Sequence, residues 1–253
     1  MPTGAPETHP ENRLPLIPTI RYATRMTRPT KLHPDRGDAR TRLLEAARDI
    51  IRAKGFAATS VDDLCRAAGV TKGAFFHHFA SKEALGVVAA GYWVETTTAF
   101  FAAAPYHAPA DPLERVLAYV AFRRAIVSDD LVESSCLVGT MVQEVHQSAP
   151  AIRDACAASI FGHAATLEAD IRQAMAERGI VADWTAESLA RQTQAVVQGA
   201  LVLAKAGNDP ALARDSLDHL DRYIRLLFGV AGTRPDGAGE SADQPALATG
   251  VPA

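Results

Sequence analysis

The sequence predicts an all-α fold, with a small N-terminal three-helix domain and a larger C-terminal helical domain. Apolar residues recur at helical spacing through most of the 253 residues, whereas the alternation typical of strands is scarce. Glycine and proline stand between the periodic segments, where they end or begin helices. Hydrophobic residues form 48% of the chain, which is enough for a sizeable core. We place the two domains at residues 38–84 and 85–228.

The two ends of the chain lack helical periodicity. Residues 1–37 are rich in proline and arginine, and residues 229–253 are rich in glycine, proline, alanine and serine. Such segments bury too little apolar surface to offset the entropy lost on ordering. We therefore expect a disordered extension at each end, and Met26 is an alternative start that would shorten the first one.

The first helix is predicted to begin at Asp38 and to end at Lys54. Gly55 ends the periodic run, and Phe56 follows it as an expected core residue. The apolar residues that share one face of this helix are Leu43, Leu44, Ala47, Ile50 and Ile51. This face should pack against the next two helices.

Two short helices joined by a tight turn are predicted for residues 60–79, which have the sequence SVDDLCRAAGVTKGAFFHHF. Ser60 caps the first helix, and two aspartates lie in its first turn, where the helix dipole favours negative charge. Gly69 ends this helix, because glycine adopts the left-handed conformation without a Cβ clash, and Thr71 caps the second. Their apolar faces must pack together, which gives a helix-turn-helix.

The outward surface of the second helix suits close approach to the major groove of DNA. Gly73 and Ala74 leave it nearly bare, lysine donates to guanine O6 and N7, and threonine contacts a thymine methyl group. The candidate base-reading residues are Thr71, Lys72, Gly73, Ala74, Phe76 and His77. Phosphate contacts are expected from Arg40 in the first helix and from Thr59 and Ser60 at the start of the second, because helix N-termini offer N–H groups to anions.

This run resembles the DNA-binding segment of the tetracycline-repressor (TetR) family. The pattern of that family is roughly A-x-x-A-G-V-[ST]-x-G-[AT]-[LF]-Y-x-[HY]-F-x-[SN]-K-[ED]-x-L, and the chain follows it as far as Leu85. Cys65 replaces the usual alanine, and Phe76 replaces a tyrosine whose hydroxyl commonly bonds a phosphate in the family. The resemblance implies that Lys82 contacts the DNA backbone, and we assign the same role to His78.

A basic arm is one interpretation of residues 1–37. The net charge of the chain is −3, so that affinity for phosphates requires local basic charge, and arginines crowd this segment. An arm of this kind would lie along phosphates or enter a minor groove. The alternative that we favour is a tail with no specific role, or a true start at Met26.

Six further helices are predicted for the C-terminal domain. Asp111 and Pro112 are a cap followed by a proline at the first helical position, and Gly179 ends a long helix. The predicted ranges are 83–104, 112–127, 134–147, 150–178, 185–206 and 210–228. The first of these helices joins the two domains, so a tilt of this helix would change the separation of two reading heads in a dimer.

A pocket for a small apolar or aromatic effector is expected between these helices, as is common in helical bundles. The candidate wall residues are Trp93, Phe100, Phe101, Phe122, Cys136, Met141, His146, Phe161 and His163. Most of them could equally be ordinary core. Cys136 carries a separate hypothesis, because a thiol near a helix start can be shifted toward the reactive thiolate and would then sense electrophiles or oxidants.

The last two predicted helices are assigned to a homodimer interface. A reader of palindromic DNA needs two reading heads about one turn of DNA apart, which a two-fold dimer provides. In the resembled family these helices pair with their mates in a four-helix bundle. The candidate interface residues are Thr193, Val196, Val197, Ala200, Leu217, Leu220 and Ile224. The other interpretation of these apolar stripes is core within one protomer.

The sequence thus indicates a homodimeric repressor that a small molecule releases from a palindromic double-stranded operator. Three alternatives stay open: an activating or ligand-independent DNA binder, a thiol sensor that acts through Cys136, and, more distantly, a helical enzyme without DNA binding. We find no catalytic motif and no zinc or disulfide spacing of cysteines, and expect no metal or cofactor. No apolar run approaches a membrane span and no signal-peptide core is found, so we expect a cytoplasmic protein.

Overall fold

The computed structural model describes residues 38–230, and all regular structure in this range is helical. The α-helices in chain order are α1 (Ala39–Lys54), α2 (Val61–Ala68), α3 (Lys72–His78), α4 (Lys82–Ala102), α5 (Pro112–Ala125), α6 (Leu131–Ser134), α7 (Leu137–Val145), α8 (Pro150–Glu177), α9 (Ala186–Gly207) and α10 (Ala211–Leu227). A 3₁₀ turn, Pro105–His107, lies between α4 and α5. The predicted all-α fold is confirmed. Across residues 38–230, no helix is both long and apolar enough to cross a membrane.

Several expectations from the sequence concern residues outside the described range. The expected disorder and the basic arm of residues 1–37 lie there, as does the alternative start at Met26. Residues 231–253 of the predicted C-terminal tail also lie outside it. These expectations stay predictions.

Helices α1, α2 and α3 form the small domain around one apolar core. Ser60 Oγ accepts the N–H of Asp63, and the Asp63 carboxylate accepts the N–H of Ser60, so both ends of a capping box are present. Gly69 has a φ of 62°, in the left-handed region, and Thr71 Oγ1 accepts the N–H of Ala74 at 3.1 Å. The predicted caps and turn are therefore confirmed. Buried side chains of this core include Leu43, Leu44, Ile51, Phe56, Leu64, Phe75 and Phe79.

The core of the small domain continues into α4, α7 and α8. Leu137 and Met141 of α7 are fully buried in it, as is Ile152 of α8. Gly86 of α4 allows a close approach of these side chains, since a Cβ at this position would lie 2.8 Å from Ile152 Cδ1 and 2.9 Å from the ring of Phe56. The small domain and the larger domain therefore meet across packed side chains.

A second core fills the space between α5, α8, α9 and α10. Tyr119 of α5, Val197 of α9 and Leu220 of α10 are all buried there. Helix α4 reaches this core with Phe100 and Phe101, which are packed against it. One helix thus contributes side chains to both cores.

The helix predicted over 134–147 begins only at Leu137, as α7, and an additional short helix, α6, precedes it. Ser135 takes an extended conformation with a ψ of 139°, which ends α6. Cys136 then caps α7, since its Sγ accepts the N–H of Gly139 at 3.4 Å. The break exposes backbone carbonyl groups between the two helices, and these groups are used by the small domain, as described below.

Candidate DNA-contacting surface and internal cavity

Helix α3 presents most of its predicted base-reading residues to solvent. Phe75 is fully buried, and its ring packs against that of Phe79, the C-cap residue of the same helix, with ring centres 5.7 Å apart. The opposite side is open: Thr71, Lys72, Gly73, Phe76 and His77 are exposed, and Ala74 is half-buried. This arrangement matches the expected outward surface.

Lys72 and Gly73 have the properties that a groove-reading surface requires. The Lys72 ammonium lies 2.9 Å from Asp62, and both side chains are well exposed, so the pair costs little to separate. A Cβ on Gly73 would contact only Thr71 Oγ1, at 3.7 Å. Packing within the protein therefore does not require a glycine here, and the bare surface is available to a partner.

The expectation for Thr59 is wrong. Its side chain is 1% exposed, and its hydroxyl donates to the Gly55 carbonyl at 2.6 Å. Its backbone N–H donates to the Phe56 carbonyl at 3.1 Å. Both donors are therefore used within the α1–α2 turn. Ser60, the next residue, is exposed and belongs to the capping box of α2.

The phosphate role predicted for Lys82 also needs correction. Its ammonium donates to the carbonyls of Phe56 and Thr59, each at 3.0 Å, and lies 4.5 Å from the centre of the Phe56 ring. Lys82 therefore binds the carbonyl groups of the α1–α2 turn and fixes this turn to the start of α4. The charge is used inside the domain instead of facing a phosphate.

Arg40 and His78 lie near each other on one side of the small domain. Arg40 is exposed, with its guanidinium 5.8 Å from the centre of the Phe79 ring, and His78 is half-buried. The hydrogen bond from the N–H of Thr41 is the main cause that lowers the pKa of Asp38, and electrostatic interactions with His78 and Arg40 contribute less. A phosphate contact by either residue stays a prediction.

A cavity of about 650 Å³ lies between α4, α5, α8, α9 and α10 and is closed on one side by α6. Its size is that of pockets that take small organic ligands. The predicted wall residues that line it are Trp93, Phe100, Phe101, Phe122, Cys136 and His163. These six come from three different helices, α4, α5 and α8, and the α6–α7 break.

Three predicted wall residues lie elsewhere. Met141 is fully buried in the core that joins the small domain to α7 and α8. His146 is exposed at the end of α7, and Phe161 is 59% exposed on the outer face of α8. Spacing along a helix indicates which residues share a face, but it does not indicate which of several neighbours that face meets.

Gln194 is a polar residue of the cavity wall that the sequence analysis missed, and the buried Tyr119 connects it to His163. Gln194 Nε2 donates to the Tyr119 hydroxyl at 2.9 Å, and this hydroxyl lies 2.9 Å from His163 Nε2. Burial, assisted by the positive charge of Arg123, lowers the pKa of His163 to about 4, so the imidazole is neutral near pH 7. A glutamine inside the apolar stripe of α9 was the signal available in the sequence.

The cysteines differ in their surroundings. Cys136 is half-buried at the cavity wall, and its Sγ accepts the Gly139 N–H. Cys156 is buried, and burial raises the pKa of its thiol to about 12, so it stays protonated.

The predicted dimer residues face inward. Val196 is half-buried, and the residues buried within a single protomer are Thr193, Val197, Ala200, Leu217, Leu220 and Ile224. They form the contact of α9 and α10 with each other and with α5 and α8. A second subunit cannot reach these six side chains, so the prediction for them is wrong.

Within residues 38–230, no group of three or more histidine, cysteine, aspartate or glutamate side chains could hold a metal ion. The hydrogen bonds at the cavity include the chain of Gln194, Tyr119 and His163 and the ion pair of Arg214 with Asp129.

Comparison with known proteins identifies the family. The model of the bacterial regulatory proteins of the TetR family matches residues 43–86, and that of a tetracyclin repressor-like C-terminal domain matches residues 112–220. The chain belongs to the TetR family. This family consists of DNA-binding transcriptional regulators, which confirms the expected regulator and excludes the enzyme alternative. The membership of known relatives in a family of DNA-binding regulators does not favour the thiol-sensor alternative.

Two curated relatives illustrate the similarity. UidR of Escherichia coli is 46% identical over 46 residues, which cover 18% of this chain and 24% of UidR. The chain therefore matches about a quarter of the length of that regulator. AcuR of Cereibacter sphaeroides is 27% identical over 196 residues, which cover 74% of this chain and 85% of AcuR.

Solved structures of the family share the fold. A TetR-family regulator from Agrobacterium tumefaciens has a TM-score of 0.65 at 22% identity, over 74% of this chain and 97% of that one. CifR, solved as a cysteine mutant in complex with a 26-base-pair operator, has a TM-score of 0.62 at 22% identity, over 73% of this chain and 96% of CifR. At these identities the similarity concerns the fold alone.

Proposed function

We propose that this TetR-family chain is a homodimeric repressor that a small organic effector releases from a palindromic operator. The main support for the proposal is that three residues of the cavity wall also contact Arg52 of α1, in the small domain. These residues are Trp93, Glu133 and Ser135. A regulator that reads chromosomal DNA acts in the cytoplasm.

Arg52 of α1 attaches the small domain to the cavity wall. Its Nε donates to the Ser135 carbonyl at 2.8 Å, and its guanidinium also bonds the Glu133 carbonyl. The same guanidinium lies 5.5 Å from the centre of the Trp93 ring. A ligand that displaces any of these three wall residues would therefore pull on α1.

Glu144 of α7 supports a second connection. Its carboxylate accepts the N–H of Ala57 at 2.7 Å, in the turn that precedes α2. Arg52 and Glu144 thus attach both ends of the α6–α7 segment to the small domain. A shift of this segment would move α2 and α3 relative to α9 and α10, and hence the two reading heads of a dimer relative to each other.

The effector acts in this scheme only through its difference in affinity for two conformations. One conformation has the reading heads at the spacing of the operator, and the other has an expanded cavity. A ligand that fills the expanded cavity favours the second conformation and thereby weakens operator binding.

A homodimer is supported by the outward faces of α9 and α10, which lie opposite the buried residues on each helix. On α9 this face contains two small residues and two larger apolar ones, and on α10 it contains large apolar side chains. The exposed residues are Ala195, Gly199, Val202, Leu203, Leu212, Tyr223 and Leu226. Small residues allow close helix approach, and the exposed apolar side chains would be covered by a second copy.

The test is fluorescence anisotropy of the purified chain with labelled DNA from upstream of its own gene. Salt is raised during the titration, and unrelated DNA is added as a competitor. The expected result is selective binding by a dimer, with log K falling linearly with log salt. Binding no tighter than that to the competitor, for this DNA and for a randomised operator library, would contradict the proposal.

A further inference from the structure

Arg123 is a cation of the cavity wall without an anionic partner in the described part of the chain. No carboxylate among residues 38–230 forms an ion pair with it. Its neighbour Arg124 pairs with Asp218 at 2.7 Å, and the other cavity arginine, Arg214, pairs with Asp129 at 2.9 Å. A positive charge in a half-enclosed cavity is a site for an anion from outside.

The surroundings of Arg123 orient its guanidinium. The group lies 5.2 Å from the centre of the Phe101 ring, which contacts the His163 ring with centres 4.5 Å apart. Stacking on an aromatic ring leaves the edge of the guanidinium, with its N–H groups, free to donate. The planar edge matches the two oxygen atoms of a carboxylate.

His163 adds a neutral donor beside this cation. The Tyr119 hydroxyl accepts from Gln194, and we assign the tautomer in which this hydroxyl donates its own proton to His163 Nε2. The neutral imidazole then carries its proton on Nδ1. This atom has no hydrogen-bond partner among residues 38–230, and His163 lines the cavity. One end of the cavity therefore offers a cation and a separate N–H group.

The rest of the wall on this side is apolar. Trp93, Phe100 and Phe122 contribute aromatic surface, and Ile126 and Val197 contribute aliphatic surface. A ligand with a single charged head and an apolar body would satisfy both parts of the cavity. A phosphate monoester carries nearly two charges, and the second arginine of the wall is already neutralised by Asp129.

We propose that the effector is an organic monocarboxylate whose carboxylate pairs with Arg123 and accepts a hydrogen bond from His163, while its apolar body packs on the aromatic wall. This inference rests on the proposed function, because it names the chemical class of the effector. The binding step itself requires only the cavity and is tested separately from release of the operator.

The test uses isothermal titration calorimetry with matched probes. The probes are 3-phenylpropanoate, 5-phenylpentanoate and octanoate, each compared with its primary amide, which has the same shape without the charge. At least one carboxylate should bind the wild-type chain ten or more times tighter than its amide does. In Arg123→Met this preference should disappear, and in the matched control Arg124→Met, whose arginine lies outside the cavity, it should remain.

Thermal unfolding establishes whether Arg123→Met folds, and Arg123→Gln is the second variant if it does not. If no carboxylate binds tighter than its amide, or if the preference survives in the folded Arg123 variant, the inference is wrong. Operator anisotropy with the same probes separates the two proposals. Selective carboxylate binding without release of DNA would support the anion site and contradict the effector mechanism. Release of DNA by an amide alone would support the effector mechanism and contradict the anion site.

Discussion

In α3, the residues that folding requires differ from the residues that are expected to read DNA. Gly73 is exposed, and a methyl group would fit there without a clash inside the protein. Lys72 and His77 beside it are also exposed. The identity of these residues is therefore not dictated by the core of the small domain, in contrast to Phe75, which is fully buried.

Replacing Gly73 by alanine should raise the free energy of unfolding by up to about 1 kcal/mol, because alanine is the better helix former. Operator affinity should nevertheless fall about tenfold, since a methyl group that holds α3 away from the groove disrupts contacts worth about 1 to 3 kcal/mol. Urea unfolding and DNA anisotropy measure the two effects. Gly91→Ala, at an open position of α4, is the control and should show only the increase in the free energy of unfolding. Unchanged operator affinity in Gly73→Ala would rule out close approach at this point.

His163 should make the stability of the chain depend on pH. Its pKa of about 4 lies below the ordinary 6.5, so the unfolded chain binds more protons between these values. The contribution of His163 to the free energy of unfolding is fully present above pH 6.5. It decreases as the pH is lowered, and at pH 4 the decrease is about 3 kcal/mol. In His163→Gln, whose amide oxygen can accept from Tyr119, urea unfolding from pH 7 to pH 4 should show a smaller decrease. An identical decrease would contradict a buried neutral imidazole.

At the scale of elements, the two faces of α9 and α10 have different roles. The inward faces contain Val197, Leu217 and Ile224, which hold the larger domain together. The outward faces contain Leu203 and Leu226, of which the latter is 78% exposed. Substitutions on the inward face test folding, and substitutions on the outward face test association.

Leu226→Arg should convert the proposed dimer to a monomer without unfolding it, because the side chain makes little contact within one protomer. Sedimentation velocity should show the smaller species, and operator affinity should fall because one protomer supplies only one reading head. Val181→Arg is the control, since this valine is 98% exposed in the turn before α9 and outside the proposed interface. A Leu226→Arg variant that sediments like the wild type would show that the interface lies elsewhere.

At the scale of the whole molecule, the small domain and the cavity are connected by hydrogen bonds to backbone carbonyls. Arg52 reaches the α6–α7 break, and Glu144 reaches the α1–α2 turn. Lys82 fixes the same turn to α4, which runs on to the cavity. Coupling between two binding sites is reciprocal, so operator DNA should affect the cavity wall as the effector affects the reading heads.

Operator binding should therefore slow amide hydrogen exchange in residues 131–145 of the wild-type chain. In Arg52→Met, which keeps much of the side-chain volume but loses the guanidinium, this slowing should be reduced about fivefold, as the loss of about 1 kcal/mol of coupling implies. Arg48→Met is the control, because Arg48 lies on the same helix and pairs with Asp49. Equal slowing in the wild type and in Arg52→Met would contradict the role of Arg52 in coupling.

The sequence by itself determined most helices and their ends, with α6 and the start of α7 as exceptions, because caps and turns depend on residues a few positions apart. Ser60, Gly69 and Thr71 illustrate this, and the family motif depends on the same local pattern. Only the tertiary structure decided which face of α9 is buried, since Val197 and Val202 are equally apolar and differ only in what lies opposite. It likewise decided that the charge of Lys82 is used internally and that Arg123 has no carboxylate partner within residues 38–230. These properties depend on distances between residues far apart in the chain, which local spacing does not encode.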